Sequence, residues 1–167
     1  DISITSGTVS ATGANSLRIA TDGGGAVFIG TTGATTADAQ GIQAKTTGSG
    51  ILLAIAGDVT SAASNAVEAT IGSGAGDAAA GFGDGVTISA VNGSAVVSTT
   101  PGSGTAAVVA GKNDKFLAAD IGLSASANLG DAAVTTGSGA TITVADVDDD
   151  GASGVTASTQ RASDAAV

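Results

Sequence analysis

Short runs of alternating apolar and polar residues recur along the whole chain, and small or polar residues separate each run from the next. Alternation with a period of two is the pattern of a β-strand that buries one face. The most regular of these runs ends in a threonine-rich turn with glycine, and its copies lie at 17–23, 42–48, 67–72, 96–102 and 132–137. The closing glycines lie 25, 24, 30 and 35 residues apart. Repetition at such a period predicts a repeat architecture built from strands.

Two further classes of run accompany this threonine–glycine run. The runs that precede it lie at 8–10, 34–36, 59–61, 86–89 and 123–125. The runs that follow it lie at 26–29, 51–55, 106–109 and 140–144, with a degenerate copy at 74–83. Three short strands in about 25 residues predict a parallel β-helix, in which each coil adds one strand to each of three stacked sheets. Valine, isoleucine, leucine and alanine are expected to face inward, and threonine and serine outward.

The predicted fold is therefore all-β, with a single domain at 1–167 that forms a parallel β-helix of about five three-strand coils with open ends. The predicted units are a partial coil at 1–6, full units at about 7–30, 31–56, 57–84, 85–110 and 111–145, and a partial coil at 146–167. Residues 111–121 and 146–154 are expected to form outward loops because they are polar and contain aspartate. The alternative fold is a β-sandwich of hairpins that donates its N-terminal strand to a neighbour.

These repeats resemble the low-complexity β-helix repeats of bacterial autotransporter passenger domains and of filamentous-haemagglutinin-like surface proteins. The resemblance is one of pattern and extends over 1–167. It implies a secreted protein that serves as an adhesin or as a surface structure. The location that we expect is therefore extracellular or at the cell surface.

Both termini of the sequence fall within a repeat. Residues 1–5 match the class of run that follows the threonine–glycine run, whereas 154–158 match the class that precedes it and 163–167 match the threonine–glycine run itself. One interpretation is a fragment of a longer solenoid. The other is head-to-tail stacking, in which the N-terminal strand of one copy completes the last coil of another, and such a contact builds a filament because it does not close. The expected partner is then the chain itself, with this polymer interface: Ile2, Ile4, Val155 and Val167.

Charge and composition argue against several classes of function. The chain has 5 basic and 15 acidic residues and a net charge of −10, which disfavours binding to nucleic acid or to anionic membranes. The longest apolar run, 51–56, is much shorter than a membrane span, so no membrane insertion is expected. Histidine and cysteine are absent, which excludes Ser–His–Asp and Cys–His catalysis and argues against a zinc site. We therefore expect no enzymatic activity.

One local motif suggests a metal ion. Asp146, Asp148 and Asp150 precede a glycine in the DxDxDG pattern that opens a calcium loop, in which carboxylates supply several of the oxygen ligands. Ala157 stands at the twelfth position, where such loops have a bidentate glutamate, so that ligand must come from elsewhere. Residues of the neighbouring predicted loop could supply further ligands: Asn113, Asp114 and Asp120. The alternative is a solvated acidic turn, and calcium is the one cofactor that the sequence suggests, although nothing in it requires a cofactor.

The sequence therefore predicts a secreted structural subunit of a cell-surface or extracellular filament that polymerises head to tail by β-strand complementation. One alternative is an adhesin passenger fragment that binds a receptor or a glycan, which would need a localised ligand patch. The other is a calcium-stabilised surface-layer or matrix subunit, which would associate laterally rather than axially.

Overall fold

The computed structural model describes residues 1–22, 24–145, 151–160 and 165–167, and within them it contains strands and no helix. Each strand pairs in parallel with the strands three places before and after it, so the chain coils around three stacked sheets. Sheet A has seven strands, and sheets B and C have six each, with about five turns between the first and last strands of B and C. Within the described ranges, no helix is long and apolar enough to cross a membrane.

The strands are short, and successive strands belong to sheets A, B and C in turn. Sheet A contains β1 (Ile2–Ser6), β4 (Val27–Thr31), β7 (Ile51–Ile55), β10 (Ala78–Phe82), β13 (Ala106–Val109), β16 (Ala132–Thr135) and β19 (Ala165–Ala166). Sheet B contains β2 (Val9–Ala11), β5 (Thr35–Ala37), β8 (Val59–Ser61), β11 (Thr87–Ala90), β14 (Lys115–Ala118) and β17 (Thr141–Val144). Sheet C contains β3 (Leu17–Thr21), β6 (Ile42–Thr46), β9 (Val67–Ile71), β12 (Val96–Thr100), β15 (Ile121–Ala127) and β18 (Ser153–Thr159).

The predicted fold class is confirmed, because the chain is an all-β parallel solenoid with three strands per coil. The alternative of a β-sandwich built from hairpins is wrong. Hairpins join antiparallel strands, whereas every pair among the described strands is parallel.

Inward-facing side chains stack into ladders along the solenoid axis. One ladder in sheet A starts at the partly buried Ile4 and continues through Ile29, Leu53, Ala80, Val108 and Val134, all of which are buried. Successive strands lie about 4.8 Å apart, so each coil buries the apolar side chains of the next. The two largest core side chains, Phe82 and Phe116, pack edge to face with ring centroids 5.4 Å apart.

The expectation that serine and threonine face outward holds for only part of them. Thr46, Ser98 and Thr100 are buried inside the solenoid. Their hydroxyl groups donate hydrogen bonds to backbone carbonyl oxygens where the chain turns from sheet C to sheet A; Ser98 Oγ, for example, lies 2.7 Å from the oxygen of Ala78. A tight corner buries carbonyl groups that need a donor, and a short hydroxyl side chain provides one without leaving the interior.

Residues 111–121 do not form the predicted outward loop. They contain β14, which pairs with β11 and β17 in sheet B, and Phe116 on this strand is fully buried. The polar residues that suggested a loop lie at the two corners that flank the strand and on its outward face. The unit predicted at 111–145 therefore contains four strands, β14 to β17.

This strand moves every later run by one sheet relative to the prediction. The run at 123–125 lies in β15 of sheet C, the run at 132–137 supplies β16 of sheet A, and the run at 140–144 supplies β17 of sheet B. The final runs shift in the same way, with β18 in sheet C and β19 in sheet A. The prediction that the last coil lacks a sheet-A strand is therefore wrong, since the first and last described strands both belong to sheet A.

Candidate functional site

Aspartate side chains at the corners bind one coil to a neighbouring coil. In each case a carboxylate oxygen accepts a hydrogen bond from a backbone N–H roughly one repeat away along the chain. The donor and acceptor pairs are Ala26 with Asp1 (2.8 Å), Gly13 with Asp38 (2.7 Å), Thr87 with Asp58 (2.7 Å), Thr105 with Asp77 (2.7 Å) and Lys112 with Asp84 (2.9 Å). These carboxylates therefore act as structural acceptors, which accounts for much of the acidic charge of the chain.

A further aspartate, Asp114, is enclosed completely by the fold and has no exposed surface. Its two oxygens accept hydrogen bonds from the backbone N–H groups of Gly111 at 2.6 Å and Val86 at 3.1 Å. One bond closes the turn before β14, and the other ties that turn to the coil that contains β11. Both oxygens are thus engaged by the backbone.

The residues proposed as calcium ligands are only partly brought together. Asp146, Asp148 and Asp150 lie outside the described residues. Asn113 and Asp114 sit at the corner before β14, whereas Asp120 sits at the corner after it, so the strand separates them. The carbonyl oxygen of Asp120 accepts a hydrogen bond from Ser153 N at 3.2 Å, and Ser153 follows the predicted calcium segment in the sequence.

Within the described ranges, no group of three or more aspartate or glutamate side chains is placed to hold a metal ion. Asp120 Oδ2 accepts a hydrogen bond from Ser94 Oγ at 3.2 Å, and both carboxylate oxygens of Asp114 accept backbone hydrogen bonds. The calcium site stays a prediction that rests on the sequence motif.

The first three strands form an open edge at one end of the solenoid. In a parallel sheet, alternate residues form hydrogen bonds to the strand on each side. Ile2 N donates to the oxygen of Ala26 at 2.9 Å, which shows that the even-numbered residues of β1 bond to β4. The backbone N–H and C=O groups of Ser3 and Thr5 therefore point away from β4, to the side of β1 where the described structure has no strand.

Core side chains are less well covered at both ends of the stack than in its middle. At the β1 end, Ile2 is 39% exposed and Ile4 and Leu17 are partly buried, whereas Ile29 and Ile42 in the next coil are 0% exposed. The other end is similar, with partly buried apolar side chains at Ile142, Val144, Val155 and Ala157. Each end thus combines strand edges with apolar surface.

The four residues predicted to form the polymer interface differ in their surroundings. Ile2 and Ile4 point inward on β1, and Val155 packs against the core from β18 at the opposite end. Val167 follows β19 and is 81% exposed, so it does not belong to the core ladder.

A second surface, which was not predicted from the sequence, lies on the outer face of sheet A. Phe28, Leu52 and Val109 project from this face, and Leu52 and Val109 are 50% and 49% exposed. The signal is present in the sequence, because the sheet-A runs are apolar at consecutive positions and do not alternate with polar residues, as in β7 and β13. A strand that is apolar on both faces has a second surface to cover.

Within the described residues, these features define a parallel three-sheet β-solenoid with unpaired strand edges at both ends of the stack and an apolar outer face on sheet A. Comparison with known protein families, with curated proteins and with solved structures finds no match to this chain.

Proposed function

We propose that this chain is a structural subunit of an extracellular or cell-surface filament, in which copies join end to end through their open strand edges. The observation that supports this function most directly is that each end of the solenoid has both unpaired strand edges and incompletely covered core side chains. Strand edges of this kind are surfaces on which another strand adds. The extracellular location is supported by the resemblance of the repeats to those of secreted surface proteins.

The order of strands in the three sheets determines how two copies can join. If sheets B and C are to continue from one copy into the next, β2 and β3 of the incoming copy must pair with β17 and β18. Its β1 then falls on the free side of β16, which is the place that β19 occupies in the same sheet. Sheet A can therefore continue in step with the other two sheets only if β1 of the incoming copy replaces β19.

The two competing strands differ in length, and the difference favours replacement. β19 forms two register pairs with β16, whereas β1 forms five with β4. In the joint, Ile2 and Ile4 of the incoming copy would cover Ala132 and Val134, and Leu17 would cover Val155. This revises the predicted strand complementation: the incoming strand displaces a short strand and does not fill an empty position.

The experiment is to block the open edge of β1 without disturbing its pairing with β4. Proline has no N–H, and an edge strand tolerates it where the missing donor faces outward, so Ser3→Pro with Thr5→Pro removes both edge donors. The matched control is Ser3→Ala with Thr5→Ala, which changes the same side chains and keeps both N–H groups. Assembly is followed by light scattering and sedimentation velocity, and circular dichroism checks that each variant retains its strands.

We expect the parent chain and the alanine variant to assemble and the proline variant to stay unassembled along the axis. Equal assembly of the proline and alanine variants would contradict the edge-pairing mechanism. A parent chain that forms no end-to-end assembly at any concentration would contradict the proposed function itself.

A further inference from the structure

The outer face of sheet A is chemically different from the outer faces of sheets B and C. The described strands of sheet A contain no charged residue, whereas the strands of sheet B include Lys115 and those of sheet C include Arg18, Lys45 and Glu68. Two outward rows cross sheet A along the solenoid axis. The first row runs from Ser3 through Phe28, Leu52, Ala79, Ala107 and Ala133 to Ala166, and the second runs from Thr5 through Gly30, Ala54, Gly81 and Val109 to Thr135, so hydroxyl groups stand only toward the ends of the rows.

Two shallow grooves lie on this face, and Phe28 and Leu52 line both of them. One groove lies near the first residues of β1, β4, β7 and β10 and has a volume of about 480 Å³. The other lies toward the last residues of the strands and has a volume of about 550 Å³. The side chains of Phe28 and Leu52 thus form a ridge between two mainly apolar depressions, and Asp1 and Asp77 line the first of them at the corners that precede the strands. A ridge between two depressions is a surface against which another apolar face can pack.

We propose that this face binds the same face of a second copy of the chain, an interaction that goes beyond end-to-end assembly and does not depend on it. The distribution of charge favours this face over the other faces of the chain as the place where a second copy binds. The chain has a net charge of −10, so two copies repel each other in most orientations. Contact through an uncharged face of both copies brings them together without removing any charged group of these strands from water.

The shape of the face supports one relative orientation. β10 is the middle strand of sheet A, with three strands on each side. A two-fold axis that runs along β10 would place β4 over β16 and β7 over β13 of the other copy, with the two solenoid axes antiparallel. Phe28 would then face Ala133, and Leu52 would face Ala107.

Each large side chain therefore meets a small one in this arrangement, and Val109 similarly meets Ala54 of the other copy. The alternative two-fold axis, along the solenoid, would bring β4 against β4. The ring of Phe28 lies over its own Gly30, where a Cβ atom would be 3.2 Å from Phe28 Cε1. The two phenylalanine rings would then compete for the same space, so the antiparallel arrangement is the self-complementary one.

The area of the face sets the expected strength. Seven strands spaced by about 4.8 Å and about 15 Å in length give roughly 500 Å² per copy. The total of about 1,000 Å² is at the lower limit for a specific interface, so two single molecules bind weakly and reversibly. Copies that are also joined end to end would present this face repeatedly, and the second contact would then be strengthened by effective concentration.

The test compares Leu52→Lys with Leu117→Lys in a background that is not expected to assemble along the axis. This background is Arg18→Pro with Ala20→Pro, which removes the outward edge donors of β3 on sheet C and leaves the sheet-A face unchanged. Leu117 is a closely matched control because it also points outward from the middle of a strand, on sheet B, and is 40% exposed against 50% for Leu52. Sedimentation equilibrium up to about 1 mM protein measures the dimer dissociation constant. We expect Leu52→Lys to raise this constant at least tenfold and Leu117→Lys to leave it within about twofold.

Cross-linking tests the orientation, since the chain has no cysteine of its own. A mixture of Leu52→Cys and Ala107→Cys proteins should form heterodimers with a short thiol cross-linker far more efficiently than either protein forms homodimers. An equal effect of the two lysine substitutions, or a background protein that is monomeric throughout, would overturn the pairing of sheet-A faces. Fibre formation by the parent chain is measured separately, so that result would not contradict end-to-end assembly. Equal assembly of the proline and alanine variants of β1 would contradict end-to-end pairing and would not contradict the contact between sheet-A faces.

Discussion

Aspartate and glycine residues fix the corners of the solenoid, each by a different physical property. The short carboxylate of aspartate reaches the backbone N–H of a neighbouring coil, as Asp58 does with Thr87. Glycine permits the backbones of successive corners to approach, since a Cβ atom at Gly111 would lie 2.6 Å from the oxygen of Gly83. The abundance of both residues thus follows from stacking corners directly on one another.

Replacement of the buried carboxylate should be the most damaging change of this type. Asp114→Ala leaves the N–H groups of Gly111 and Val86 without their buried acceptor, and we expect a loss of about 2–3 kcal/mol in the free energy of unfolding. Urea denaturation measures the change, with Asp84→Ala as the control because its carboxylate is exposed and accepts one bond, from Lys112 N. Equal losses in the two variants would show that enclosure of Asp114 has no energetic consequence.

At the scale of the element, β14 shows how a charged sequence can still form part of the core. Its side chains alternate strictly, with Lys115 and Leu117 outward and Phe116 and Ala118 inward. The outward residues contact solvent, so their charge does not oppose the burial of the phenylalanine ring. A strand of four residues needs only two inward apolar side chains to join the ladder.

A pair of substitutions on this strand distinguishes a core strand from a surface loop. Phe116→Ala removes a fully buried ring and its edge-to-face contact with Phe82, and we expect a loss of about 3–5 kcal/mol in the free energy of unfolding. Leu117→Ala, one residue away on the outward face, should cost less than about 1 kcal/mol. Chemical denaturation of both proteins gives the comparison, and similar small losses would mean that 111–121 is a loop after all.

The sequence predicted the strands and their sheets well up to β13. After β13 it predicted most of the strands but missed β14 and assigned the later strands to the wrong sheets, for a physical reason. Alternation and corner glycines identify strands, and they placed β7 at 51–55, as the structure has it. A glycine marks a corner, however, without indicating which of the three corners it occupies. Gly137 follows threonines and resembles the glycines after sheet C, but it stacks on Gly111 at the corner between sheets A and B. The corner that a glycine occupies is known only once all the coils are stacked on one another.

The candidate interfaces were predictable to different extents. Ile2 and Ile4 follow from the alternation in β1, and the structure places both at an open end. The proposed replacement of β19 could not be predicted from the sequence, because it depends on the sheet to which the last described strand belongs. The apolar outer face of sheet A also required the register, since the row through Phe28, Leu52 and Ala79 spans three coils.

The short terminal strand gives a prediction of its own. Outward residues of a strand donate to the preceding strand of the sheet, as Thr141 N does to Asp114 O at 2.8 Å, and Ala166 is the outward residue of β19. Ala166→Pro should therefore loosen β19, expose the edge of β16 and shorten the lag of assembly severalfold. Val167→Pro, outside the strand, is the control. Light scattering measures the lag, and slower assembly of the Ala166→Pro protein would show that β19 is part of the joint.

At the scale of the whole molecule, the two proposed contacts act along different directions. End-to-end pairing extends the three sheets along the axis, whereas contact between sheet-A faces joins two stacks side by side. The outer faces of sheets B and C and the aspartate corners then remain in contact with solvent. The negative charge of the aspartate corners would limit further lateral association and keep a paired filament dispersed.

The most direct test of the central claim is electron microscopy of the purified 167-residue protein, followed by fibre diffraction. Coils that continue from one copy into the next predict long uniform fibres with a repeat of about 4.8 Å along the fibre axis, because the strands lie across that axis. Monodisperse particles that stay monomeric at high concentration would contradict end-to-end assembly. Fibres in which the 4.8 Å repeat runs across the axis would also contradict it, since the solenoids would then lie sideways.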